Sequence, residues 1–98
     1  MRLQEVLLDL LSGISDPAVR VDVASTISFL AQVYRMGKAT EEQIANDFRE
    51  IVREVLTMKN PTLAPDELKK LIDDYVNRLM IAIKGESAFT RFGRKYQI

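Results

Sequence analysis

A chain of 98 residues suits one small domain, and its 47% apolar content is enough to form a core without metals or disulfides. Lys and Arg number 14, as do Asp and Glu, so no overall field attracts nucleic acid or an anionic membrane. The absence of Cys and His excludes disulfides, thiol nucleophiles and histidine-based acid–base catalysis.

Glycine and proline divide the chain into helical segments. Gly13, Gly37 and Gly85 each follow an apolar-periodic run, where a left-handed helix C-cap favours a residue without Cβ. Pro17 and Pro65 stand where a first helical turn would begin. These signals predict helices over about 2–12, 17–36, 41–58 and 65–84, followed by a short amphipathic segment within 86–96.

Three of the four segments carry one clear apolar stripe. Apolar residues recur at three- and four-residue spacing in the first, third and fourth segments, which is typical of helices with one buried face. The third segment opens with Thr40 and Gln43 in the arrangement of a capping box, so its start is well defined.

The second segment has a wider apolar surface than the others. Its beginning, VRVDV, alternates like a strand, but the start at Asp16-Pro17 and the longer helical period favour a helix. Plotted as a helix, its apolar arc covers about 220° and includes Phe29 and Val33. This width predicts either the central helix of the fold or a helix that also contacts a second copy of the chain.

These elements predict an all-α fold. Three long helices and one shorter helix, joined by connections of about three to six residues, are typical of a small antiparallel bundle. We expect residues 1–85 to form the bundle domain and residues 86–98 a separate basic and aromatic tail.

The tail combines aromatic and cationic residues. Residues 84–98 hold four cations and one anion, against ten cations and thirteen anions in residues 1–83. Read as a helix, the tail places Phe89, Phe92 and Tyr96 on one side, and Arg91, Arg94 and Lys95 on the other. The aromatic side would cover an edge of the bundle or bind a partner chain.

The sequence therefore predicts a non-catalytic interaction module that self-associates or binds another protein. The candidate partner-binding residues are Phe29, Val33, Ile81, Phe89, Phe92 and Tyr96. The alternative is an accessory nucleic-acid binder that makes weak, sequence-independent phosphate contacts. That function would use Lys84, Arg91, Arg94 and Lys95.

No residue pattern predicts a catalytic, cofactor or metal site. The carboxylate doublets Glu41-Glu42 and Asp73-Asp74 fit a helix first turn and a solvated helix face better than a Mg²⁺ site. No apolar stretch approaches the ~20 residues that span a bilayer, and the N-terminus is a poor signal peptide. We expect a soluble, cytoplasmic protein with no evident small-molecule substrate.

Overall fold

The computed structural model describes the backbone of residues 2–96 and the side chains of residues 2–85. This part of the chain contains four helices and no strand, so the predicted all-α helical bundle is confirmed. The helices are α1 (Leu3–Leu11), α2 (Pro17–Arg35), α3 (Glu41–Lys59) and α4 (Pro65–Tyr96).

Helices α3 and α4 form the central pair of the bundle. Helix α1 packs against both, chiefly α4, whereas α2 lies mainly against α3 and makes a smaller contact with α4. The apolar stripes of all four helices meet in one core, whose largest fully buried side chains are Phe48, Leu10, Ile27, Ile44, Leu79 and Ile83. Burying each of these side chains contributes roughly 1.5–3 kcal/mol, before the entropy cost of ordering the chain.

The starts of α2 and α3 are fixed by side-chain caps. The Asp16 carboxylate accepts a hydrogen bond from the Ala18 amide at 2.9 Å, immediately before α2. At α3 the Thr40 hydroxyl accepts from the Gln43 amide at 3.1 Å, and the Gln43 side chain accepts from the Thr40 amide at 2.9 Å. The predicted capping box is therefore confirmed.

Two of the three predicted glycine caps are confirmed. Gly13 and Gly37 have φ angles of 87° and 71°, in the left-handed region that side chains with a Cβ disfavour. The predicted cap at Gly85 is wrong, because α4 continues through this residue to Tyr96. A single glycine costs a helix only about 1 kcal/mol, and no proline follows to stop it. The separation of residues 86–98 from the bundle stays a prediction.

The C-terminal end of α1 is held by cations from other helices. The Lys59 ammonium donates to the Leu10 carbonyl oxygen at 2.9 Å. The Arg20 guanidinium donates to the carbonyl oxygens of Leu11 and Ile14 at 2.9 and 3.0 Å. A nine-residue helix is not stable alone in water, so these bonds and the core contacts stabilise α1.

Candidate protein-interaction surface

Helix α2 is the least buried of the four helices. Only Ile27 and Ala31 of its residues are buried, and Val23, Leu30 and Tyr34 beside them are half-buried. Of the two alternatives predicted for α2, the one that makes it the central helix is therefore wrong, and contact with a second copy stays a prediction. Its wide apolar arc is not surrounded by neighbours, because α2 packs mainly on one helix, α3.

The side of α2 opposite Ile27 carries apolar side chains that face solvent. At 100° per residue, Ala18, Val21, Ser25, Phe29, Gln32 and Met36 lie on this side, with the exposed Asp22 at its edge, and we call the six uncharged residues the α2 outer face. All six are exposed. Phe29 is 66% exposed, Val21 65% and Met36 55%. These three are among the most exposed large apolar side chains in the described part of the chain.

The α2 outer face is poor in charge. Helix α2 holds three charged residues, Arg20, Asp22 and Arg35, whereas α3 holds eight in the same length. The guanidinium of Arg20 points toward the end of α1 and not toward solvent. A helix side exposed to water usually carries several charged residues, so an outer side with Asp22 as its one charge and with exposed apolar residues is typical of a surface that contacts another protein.

The other predicted partner-binding residues of the bundle are placed differently. Val33 is half-buried and lies at the border of the α2 outer face. Ile81 is 50% exposed and lies on the side of α4 away from the core. Its neighbours one turn along the helix, Asn77 and Lys84, are exposed polar residues, so Ile81 does not extend an apolar patch along α4.

Lys84, a candidate phosphate ligand, is already paired. Its ammonium lies 2.9 Å from the Glu41 carboxylate, which also accepts a hydrogen bond of 3.4 Å from the Tyr34 hydroxyl. The hydrogen bond from Lys84 lowers the pKa of Glu41, and the same bond raises the pKa of Lys84. This cluster joins α2, α3 and α4, and a phosphate would have to compete with Glu41 for Lys84.

The carboxylates of the second doublet also have cationic partners. The Asp73 carboxylate is bonded to the Arg49 guanidinium, and Asp74 lies 3.6 Å from Arg78. Within the described residues, no group of three or more acidic side chains is arranged to hold a metal ion. The doublet residues therefore act as ion-pair partners between or along helices.

The tail residues lie outside the described side chains. The predicted roles of Phe89, Phe92 and Tyr96, and of Arg91, Arg94 and Lys95, therefore stay predictions.

Five residues of the α2 outer face were not among the contact residues predicted from the sequence, namely Ala18, Val21, Ser25, Gln32 and Met36. Their regular spacing with Phe29 on the side opposite Ile27 was the available signal, but a pattern of small and polar residues is also typical of an ordinary solvated helix.

Comparisons of this chain with protein-family models, curated proteins and solved structures find no match. In the part of the chain that the structure describes, none of the helices combines the length and apolarity needed to cross a bilayer.

Proposed function

We propose that this protein is a non-catalytic helical interaction module, a small subunit that associates with a second copy or another protein through the α2 outer face. The observation that supports this most strongly is the exposure of Phe29, Val21 and Met36 on one side of a helix, a side poor in charge, while the opposite side of the helix is anchored in the core. Large exposed aromatics are enriched at protein interfaces and are costly to leave in water.

The surface is built on a rigid support, which favours binding over chance exposure. The Asp16 cap fixes the start of α2, and Gly37 ends it in the left-handed conformation. Ile27 and Ala31 fix its rotation in the core. Because these contacts hold the outer side chains in one orientation, association would order little more than side-chain rotamers.

The free energy available from the surface is modest. Covering Phe29, Val21 and Met36 would contribute roughly 2 kcal/mol for each side chain. Association costs an estimated 4–15 kcal/mol in lost translational and rotational freedom. The α2 outer face therefore supports weak or regulated association alone, and stronger association if the aromatic side of residues 86–96 joins it.

Nucleic-acid binding is the second candidate, and the described residues favour it less. Lys84 is engaged by Glu41, which leaves Arg91, Arg94 and Lys95 as the cations available in the predicted site. Three phosphate contacts give weak, salt-sensitive binding. A labelled oligonucleotide titrated at low salt tests this function, and saturable binding there would support it.

Multi-angle light scattering on the full chain tests the proposed association. The apparent mass should rise above 11.2 kDa with concentration, and Phe29→Glu should reduce that rise. Met58→Glu is the matched control, because Met58 is 55% exposed on α3, outside the α2 outer face. A constant monomer mass, together with no protein bound to the immobilised chain from an extract of its source, would contradict the proposal.

A second set of variants separates the tail from α2. Replacing Phe89, Phe92 and Tyr96 together by Ser should weaken association if the tail contributes to the interface. An unchanged mass profile in this variant, combined with loss of association in Phe29→Glu, would assign the contact to α2 alone.

A further inference from the structure

The α2 outer face has a pattern of side-chain size that is complementary to itself when reversed. The line along α2 that lies opposite Ile27 is the midline of this face. The four residues nearest the midline are Ala18, Ser25, Phe29 and Met36, which lie within about 40° of one another on the helix. The two small residues lie toward the start of α2 and the two large ones toward its end. A second α2 running in the opposite direction would therefore place large side chains over small ones.

We infer that two copies of this chain pair through α2 in an antiparallel arrangement, with a two-fold axis near the level of residue 27; this inference rests on the proposed self-association. In that register Ser25 of one copy faces Phe29 of the other, and Ala18 faces Met36. Each large side chain then enters the space above a small one, as close helix packing requires. A parallel pair would place Phe29 on Phe29 and Ser25 on Ser25, which crowds one level and leaves a void at another.

The charge distribution is compatible with a second copy as the occupant. Asp22 is the charged residue that borders the α2 outer face, and in the antiparallel register its counterpart is about 15 Å away along the helix. No like charges therefore meet across the midline. A strongly charged partner would find Asp22 as the one charged side chain on this side of the helix, whereas a second copy brings a face that is equally poor in charge.

The α2 outer face is smaller than the interfaces of stable dimers. From residue 18 to residue 36 the helix is about 27 Å long and about 10 Å wide, so a pair would bury on the order of 300 Å² per copy. Stable interfaces bury about 800 Å² per partner. Because interfaces below this size are typical of weak, transient complexes, we expect a dimer in rapid exchange that is populated at about 1 mM protein.

Distances between spin labels test the orientation directly, because the natural chain has no Cys to interfere. Ser28→Cys places a label at the edge of the α2 outer face, near the level of the two-fold axis, and Lys38→Cys places one just beyond the end of α2. Neither residue belongs to the α2 outer face. At about 1 mM protein, the antiparallel pair should bring the two residue-28 labels within about 15 Å and keep the residue-38 labels about 30 Å apart. Phe29→Glu should weaken the dimer at least tenfold, and Met58→Glu should not.

The alternative outcomes separate the inference from the proposed function. Short distances at both positions would show a parallel pair and overturn the inference while leaving self-association intact. A dimer that Phe29→Glu does not weaken would place the contact elsewhere, with the same consequence. A wild-type chain that stays monomeric at 1 mM would overturn the pairing, and the proposed function would then depend on a different protein as the partner.

Discussion

The cations at the end of α1 give the sharpest prediction about stability. The Arg20 guanidinium donates two hydrogen bonds, of 2.9 and 3.0 Å, to the partly buried carbonyl groups of Leu11 and Ile14. In Arg20→Met the apolar stem stays and the donors are lost, so the Ile14 carbonyl loses the bond from Arg20 and the Leu11 carbonyl keeps the bond from the Ile14 amide. Hydrogen bonds to charged groups contribute a net 1.5–3 kcal/mol, and partial exposure lowers this range, so we expect a loss of about 2 kcal/mol in the free energy of unfolding.

Lys59 acts on the same helix end, which makes the two residues energetically coupled. Lys59→Met removes the bond to the Leu10 carbonyl oxygen and should cost about 1.5 kcal/mol. Because either change loosens the same turn, the double variant should lose less than the sum of the single losses, by about 0.5–1 kcal/mol.

Urea unfolding followed by far-ultraviolet circular dichroism measures these losses. Amide hydrogen exchange shows whether they fall on α1, since its amides should lose more protection than those of α3. Arg53→Met, an exposed change on α3, is the control and should stay within about 0.5 kcal/mol of the wild type. If Arg20→Met unfolds with the same free energy as Arg53→Met, the bonds from Arg20 do not stabilise α1.

Three further predictions concern the glycines, an ion pair and the core. Gly37→Ala should lower the free energy of unfolding by about 1 kcal/mol, because Gly37 has a positive φ. Gly85→Ala should raise it by about 0.5–1 kcal/mol, because Gly85 lies within a helix and has open space around its Cβ position. Thermal unfolding of both variants checks that the two changes have opposite signs. Lys84→Met should be less stable than the wild type at neutral pH. The pKa of Glu41 is lowered, so the stabilisation from the ion pair is present above pH about 4.5 and is lost as pH falls through the folded-state pKa. The pKa of Lys84 is raised, so this stabilisation is present below pH about 10.5 and is lost as pH rises through the folded-state pKa. The difference in the free energy of unfolding between the wild type and Lys84→Met should therefore disappear at both pH extremes. Phe48→Ala should cost about 3–5 kcal/mol in urea unfolding, and a loss below about 1 kcal/mol would contradict its central place in the core.

The helix boundaries were predictable because their signals are local. Thr40 and Gln43 form the capping box within four residues, and the left-handed angles of Gly13 and Gly37 follow from the runs that precede them. The C-cap predicted at Gly85 was wrong, because a glycine inside a continuing helix gives the same sequence signal as a glycine that ends one.

The position of α2 was not predictable from its own sequence. A wide apolar arc fits a central helix and an interface helix equally, and only the packing of α2 mainly against α3 distinguishes them. The contacts of Arg20 and Lys59 with the end of α1 also escaped prediction, since they join residues 9 and 49 positions apart and depend on the assembled bundle.

Backbone amide chemical shifts, measured over a dilution series of the unmodified protein, show directly whether this chain associates through the α2 outer face. We expect the concentration-dependent shifts to concentrate at the exposed residues of α2, with Phe29, Ser25 and Met36 among the largest, and the amides of α1 and of the outer side of α3 not to change. Shifts that cluster away from α2, or spectra that do not depend on concentration up to about 1 mM while a partner protein binds the chain at another surface, would contradict association through the α2 outer face.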